Sequence, residues 1–286
     1  MSRADKKGHS GETGRNQPGG RRRRRRDPDA PSAPLRRSLQ SYPDESRRVI
    51  YVATEGEKTE RDYIALLNTH YGEREGQKFR LKHCNAGRGL RPTETVAHVI
   101  ATAAGPDDEK WALFDRDSED QRDDDIPEAM RNAAEAGVQV VLSHPSFELW
   151  LLLHFQPFTS QEGGRSGTVL DRLRTHRDAK GFQDYDQQSG DRGKGLGGQR
   201  GESLVGRERA AVRNARKLVS LCPYGDCSPK NADFTPIPGL RPETSQVWRL
   251  RSGHAASCDP LKRDPSSDVW RLLATLGIGA EEQQKG

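Results

Sequence analysis

Two apolar runs in this sequence end in acid. Val49-Ile50-Tyr51-Val52-Ala53 leads into Thr54-Glu55-Gly56-Glu57-Lys58-Thr59-Glu60, and Lys110-Trp111-Ala112-Leu113-Phe114 leads into Asp115-Arg116-Asp117-Ser118-Glu119-Asp120. If the two runs are neighbouring parallel strands, Glu55 and Asp115 emerge on one sheet edge, about 4.8 Å apart at the backbone, with Asp117 following two residues later. Carboxylates that close repel and raise one another's pKa unless a cation sits among them. Hard oxygen donors completed by substrate phosphate are how Mg2+ or Mn2+ is held, and such an ion polarises a phosphoryl oxygen and activates water. The expected chemistry is metal-dependent phosphodiester transfer or hydrolysis, with Glu55, Asp115 and Asp117 at its centre. Acids at strand ends also serve as turn residues and helix caps, and Asp117 or Asp125 could do only that.

The elements that must position these groups can be read from the surrounding pattern. Val49–Ala53 lacks polar alternation, the mark of a strand buried on both faces of a parallel sheet. A helix from Thr59 to Tyr71 places Tyr63, Leu66, Leu67 and His70 on one face. Phe79–Cys84 is a second strand, and Thr93–Ala104 a helix with Val96, Val99 and Ile100 inward. The third strand ends in Asp115, the helix Asp125–Ala136 stops at Gly137, and Val138–Leu142 is a fourth strand. Pro145–Phe155 is an apolar helix with Pro in its first turn. Strand and helix alternate four times, which predicts right-handed βαβ units and a Rossmann-like parallel sheet flanked by helices. Open sheets of this class bind ligands beyond the carboxyl ends of their strands, where the acids lie.

Glu148 stands on the apolar helix, among Phe147, Leu149, Trp150 and Leu151, and burying a lone carboxylate is costly. Its helix starts at the same sheet edge as the other acids. An additional catalytic or substrate-orienting role is expected for it, against the plainer reading of a first-turn acid favoured by the helix dipole. Ser146 or Ser143 is the expected cap, and His154 is read as a packed histidine.

Charge is unevenly spread. Residues 1–48 carry 14 Lys and Arg against 6 Asp and Glu, a net of +8, while the remainder carries 33 against 36, a net of −3. The formal +5 of the chain therefore comes from the tail, and the folded part is no basic slab for coating DNA. Residues 1–46 are expected to be disordered. Within them Arg21, Arg22, Arg23, Arg24, Arg25 and Arg26 form a run suited either to tethering nucleic acid or simply to solvation. No stretch of 18 apolar residues is present to cross a membrane, and the basic N-terminus lacks the apolar core of a signal peptide, so a cytoplasmic location is expected. The domain reading is a basic tail over 1–46, an α/β core over 47–160, and a helical, loop-rich extension over 161–280 packed on it.

The acidic pattern separates rival folds. Haloacid-dehalogenase phosphatases carry DxD after the first strand, not the third. A receiver with its phosphoacceptor at Asp115 fits in part, but its lysine has no candidate. A Glu-Gly closing the first strand with DxD closing the third resembles the Toprim fold of topoisomerases, primases and OLD-type nucleases. The segments VIYVATEGEKTE (49–60), FDRD (114–117), SHPSFELWLLLHF (143–155) and DPSSDVWRLLATL (264–276) resemble the RloB family, encoded near restriction-modification and abortive-infection genes. That resemblance covers about 47–276 and implies a Toprim-like nuclease acting on DNA or RNA in anti-phage defence, often beside a partner ATPase. It implies Glu55 as general base or metal ligand, Asp115 and Asp117 as metal ligands, Glu60 as a second acid of the first motif, and Glu57 and Glu119 as reserves. Lys180 is a candidate for neutralising a transition-state oxyanion, with a plain surface lysine as its alternative. A different class of reading stays open: a non-catalytic nucleic-acid-binding or signalling subunit whose arginine tail does the binding.

The C-terminal half is less informative. Residues 160–203 are rich in Gly, Gln, Asp and Arg apart from a helix around Val169–Arg177. Within them DRGKGLGG (191–198) is similar to a phosphate loop but reads as a mobile loop, since it lacks both the GxxxxGK[ST] pattern and a preceding strand. Glu208–Leu221 is an amphipathic helix, and Ser266–Leu276 a closing one. Cys222 and Cys227, with Cys258 distant, fall short of the four ligands a zinc site needs.

Overall fold

A computed structural model describes residues 48–72, 79–84, 86–87, 89–105, 108–117, 123–187, 191–233 and 251–279. The expected tail, its arginine run, and Glu119 lie outside these. Apolar, β-branched runs pair into a five-stranded sheet: β1 (Arg48–Thr54), β2 (Phe79–Cys84), β3 (Glu109–Asp115), β4 (Val138–His144) and β5 (Ser266–Ser267). The order is β2-β1-β3-β4-β5. The first four strands are parallel, and only β5 is antiparallel, pairing Ser143 with Ser267 and His144 with Ser266. The fold is α/β, a mostly parallel sheet flanked by helices.

Alternate side chains of β1, β3 and β4 enter two separate cores, which is why those strands show little polar alternation, whereas the flanking β2 exposes Arg80 and Lys82. Tyr51, Ala53, Ala112, Phe114, Val140 and Leu142 pack on one face, under α2 (Pro92–Thr102) and α3 (Asp125–Glu135). Ile50, Val52, Trp111, Leu113 and Val141 pack on the other. That face is covered by α1 (Thr59–Leu67), α4 (Phe147–Leu153), α5 (Gly167–Thr175), α8 (Glu208–Leu221) and α9 (Val269–Thr275). Two very short helices, α6 (Asp191–Lys194) and α7 (Gln199–Leu204), precede α8. Gly137, at φ +66°, ends α3 as its position in the sequence suggests.

Several local expectations are corrected. α1 gives way to a π-helical turn over Asn68–Gly72, because Asn68 turns its side chain to the outer side of β2. There its amide donates to the Leu81 carbonyl at 2.7 Å and accepts from the Leu81 N–H at 2.9 Å. Ile100, expected inward, is 40% exposed. The closing helix starts only at Val269, since Ser266 and Ser267 are drawn into the sheet. Asp125 does cap a helix, but that helix is α2: its carboxylate accepts from the Thr93 N–H and hydroxyl.

Beyond the two residues of β5, the outer side of β4 meets Arg271. Its buried guanidinium donates to the Val140 carbonyl at 2.9 Å and to Gln139 Oε1 at 2.8 Å, over the Trp111 ring. Burial pushes this guanidinium down to about 10, so it remains charged at neutral pH. Among the described residues no helix is long and apolar enough to cross a membrane.

Candidate active site

The chain leaves β1 toward β2 on one side and returns past it to β3 on the other, so the crevice beyond the ends of β1 and β3 is a topological switch point, where ligands bind in open α/β sheets. Strand register continues into the loops there. The Glu55 N–H donates to the Leu113 carbonyl at 2.9 Å, and the Glu55 carbonyl accepts from Leu90 N–H at 3.1 Å. The Glu55 side chain then spans the strands, its Oε2 accepting from the Asp115 N–H at 3.1 Å. Next along the chain, Thr54 Oγ1 donates to the Gly56 carbonyl at 2.6 Å. A Cβ at Gly56 would meet the carboxylate of Glu60, which folds back from the first turn of α1, so a side chain there would push that carboxylate aside.

Glu55, Gly56, Glu60 and Asp115 line one cavity of about 320 Å3, together with Glu57, Lys58, Asp117, Ser146, Glu148, Asp186 and Lys194. All five site acids expected from sequence, Glu55, Glu60, Asp115, Asp117 and Glu148, are brought together in it. Asp115 Oδ2 accepts from the Phe147 N–H at 2.9 Å, so an acid from β3, rather than a serine hydroxyl, satisfies the first amide of α4. Ser146 instead donates to Glu148 Oε2 at 2.6 Å, and Tyr185 donates to Glu148 Oε1 at 2.9 Å. The Tyr185 hydroxyl in turn lies 2.7 Å from that of Thr59. Glu148 is thus buried but held from both oxygens, which resolves the cost of placing it on an apolar helix.

Electrostatics follow from crowding. Burial, then the Glu148 charge, raises the Glu60 carboxyl from 4.5 to about 7. Burial, then Glu60 and Glu148, drives the Asp115 carboxyl well above the ordinary carboxylate range, with the Phe147 amide opposing. For Lys194, burial works to lower the ammonium, but Glu148, Asp186, Glu60 and Asp115 outweigh it and hold it above its usual value. Lys194 Nζ lies 4.0 Å from Glu148 and 3.6 Å from Asp186.

Lys194, Tyr185 and Asp186 were not singled out in the sequence. Lys180, the lysine that was, is exposed and does not line the cavity, while Lys194 comes from the Gly-rich stretch expected to be a mobile loop. Its fold depends on the buried Arg200, which donates to the carbonyls of Gly181 (2.6 Å), Gly193 (3.0 Å) and Gly195 (2.9 Å) and to Asp184. Asp62 fastens the same stretch to α1 by accepting from the Leu196 N–H. An arginine among so many glycines was the only signal available, because its partners are backbone carbonyls. His154, as expected, is packed, against the Trp150 carbonyl and Tyr63.

The family model for RloB-like proteins matches residues 50–240, two thirds of the chain and nearly all the elements that build this cavity. The chain belongs to the RloB-like family. No curated protein and no solved structure matches it. The RloB-like match takes in Glu55, Asp115, Glu148, Tyr185 and Lys194 and ends before β5 and α9.

Proposed function

We propose that this RloB-like protein is a Toprim-like, Mg2+- or Mn2+-dependent phosphodiesterase, a nuclease acting in the cytoplasm in anti-phage or abortive-infection defence with an ATPase partner. One observation carries the reading: seven carboxylates and two lysines surround a single cavity at the switch point. Acids in that excess, with Glu60 and Glu148 buried among them, favour a divalent cation over bare coexistence. The donor set is all oxygen, which suits Mg2+ and Mn2+ and not softer metals. Glu55, Asp115, Asp117 and Glu60 would hold the ion, which when bound supplies Lewis-acid polarisation of a phosphoryl oxygen and an activated water.

The chain's own groups divide the remaining work. Glu55 and the Phe147 amide fix the Asp115 backbone and side chain, so its carboxylate cannot swing away when charge changes. Glu60, held near 7 by burial and the Glu148 charge while the cavity holds no cation, would give up that proton on joining the ligand set, which ties ion binding to pH. Lys194 brings a retained positive charge to face charge developing on the phosphoryl group. Glu148, locked by Ser146 and Tyr185, orients Lys194 and the substrate side of the cavity.

The test is cleavage of DNA, RNA and tRNA by the whole protein with Mn2+ or Mg2+, alone and with its genetic neighbour. Asp115→Ala should abolish cleavage, a loss of at least about 1000-fold if it removes a metal ligand, while leaving nucleic-acid affinity unchanged or higher. A wild-type protein that cleaves nothing with any divalent ion would favour a non-catalytic binding subunit instead.

A further inference from the structure

A second constellation lies away from the acid cavity, where the loop after α8 meets the stretch leading to β5. Cys222, which ends α8, and Cys227 come from the first; His254 and Cys258 come from the second. One ligand atom from each of the four lies within 4.8 Å of every other, and among the described residues they form the group of Cys, His, Asp and Glu side chains that meets this test. Cys222 Sγ is 3.6 Å from Cys258 Sγ, and Cys258 Sγ is 3.6 Å from His254 Nδ1.

We propose that Cys222, Cys227, His254 and Cys258 form a structural zinc site. Zinc binds thiolate at about 2.3 Å and imidazole at about 2.0–2.1 Å with tetrahedral geometry, which makes the edges of the coordination tetrahedron about 3.8 Å between sulfurs and about 3.6 Å between sulfur and nitrogen. The Cys222–Cys258 and Cys258–His254 separations match those edges, and Cys222 and Cys258 stand far beyond disulfide bonding distance. Four protein ligands leave no open position, as in structural rather than catalytic zinc sites.

The backbone around the cluster is shaped to bring its halves together. Gly253, at φ +83°, lies where a Cβ would meet the Ser228 carbonyl at 2.7 Å, and Gly225, at φ +132°, where one would meet the Ala255 Cβ at 2.8 Å. Ser228 N–H donates to the Gly253 carbonyl at 2.8 Å. The Ala255 N–H donates to Cys227 Sγ at 3.3 Å, a bond that favours the thiolate. Around this cluster, residues 222–233 and 252–263 hold little regular structure beyond two 3-10 turns, Pro229–Asn231 and Pro260–Lys262. Segments so short of hydrogen-bonded elements are the kind a metal staples. The His254-x3-Cys258 spacing supplies the fourth ligand that cysteine spacing alone lacked, and soft sulfur with imidazole selects zinc over the hard cations suited to the acid cavity. The consequence reaches β4: Cys258 is followed by one turn and then β5, which pairs with Ser143 and His144 just ahead of Ser146 and Glu148.

The assignment does not rest on the reading of the acid cavity, and its test is independent of cleavage. Full-length protein purified without chelator should contain one equivalent of zinc by elemental analysis. Titration of the wild-type thiols with a mercurial should release that zinc in step with their modification, and adding zinc back to protein stripped by a chelator should release thiol protons. Cobalt replacement should give thiolate-to-metal charge-transfer and tetrahedral ligand-field bands. Cys258→Ser should cut bound zinc at least tenfold, and Asp115→Asn should leave it unchanged. Folded wild-type protein that holds no zinc and gives no tetrahedral cobalt spectrum overturns the site, as does full zinc retention by Cys258→Ser or zinc release out of step with thiol modification.

Discussion

At the scale of single residues, Glu60 carries the clearest pH dependence. Its carboxyl moves from 4.5 to about 7 on burial beside Glu148, so the folded chain keeps a proton that the unfolded chain releases over that interval. Stability contributed by Glu60 is therefore present at low pH and lost as pH rises from about 4.5 through 7, on the order of 3 kcal/mol in all. In metal-free protein, Glu60→Gln should melt higher than wild type at pH 8 and close to it at pH 5, as followed by differential scanning calorimetry. Mn2+ should raise the wild-type midpoint more at pH 8 than at pH 6, since metal binding must displace the proton; equal shifts at both pH values would contradict the burial argument. Glu55, Asp115 and Asp117 were legible because strand ends concentrate ligand-binding groups whatever surrounds them. Tyr185 and Lys194 were not, because their value comes from contacts with Glu148 and Asp186 that no local pattern encodes.

At the scale of elements, the alternation of apolar runs and amphipathic helices made β1 to β4 and α1 to α4 readable, since each buries a continuous face. The Gly-rich region was harder. Its order comes from side chains that grip its backbone, Arg200 and Asp62, rather than from periodicity, and the strand β5 is two residues long and takes its register wholly from β4. The same fact gives a prediction. Arg200→Lys keeps the charge but loses the planar fork that reaches three carbonyls and Asp184. It should lower stability by about 3 kcal/mol, since buried carbonyls lose charged donors, and should make the stretch around Lys194 a preferred site for limited trypsin cleavage. Unaltered cleavage kinetics would mean that other contacts hold that stretch.

Across the whole molecule, the family match stops at residue 240, while the sheet is completed by β5 and its outer flank by α9. Two flanking strands of an open sheet expose unpaired amides and carbonyls, and a neighbouring copy can extend the ladder through them. Here Asn68 occupies both backbone groups of Leu81 on β2, and Arg271 occupies the Val140 carbonyl on β4. Both are side-chain plugs, one neutral and one charged. Asn68→Ala and Arg271→Leu should each promote concentration-dependent self-association, detectable by light scattering after size exclusion, while wild type keeps its size over the same range. Identical elution of all three would locate the protection elsewhere. For a chain made in a crowded cell alongside many copies of itself, those two residues act as guards against fibre growth.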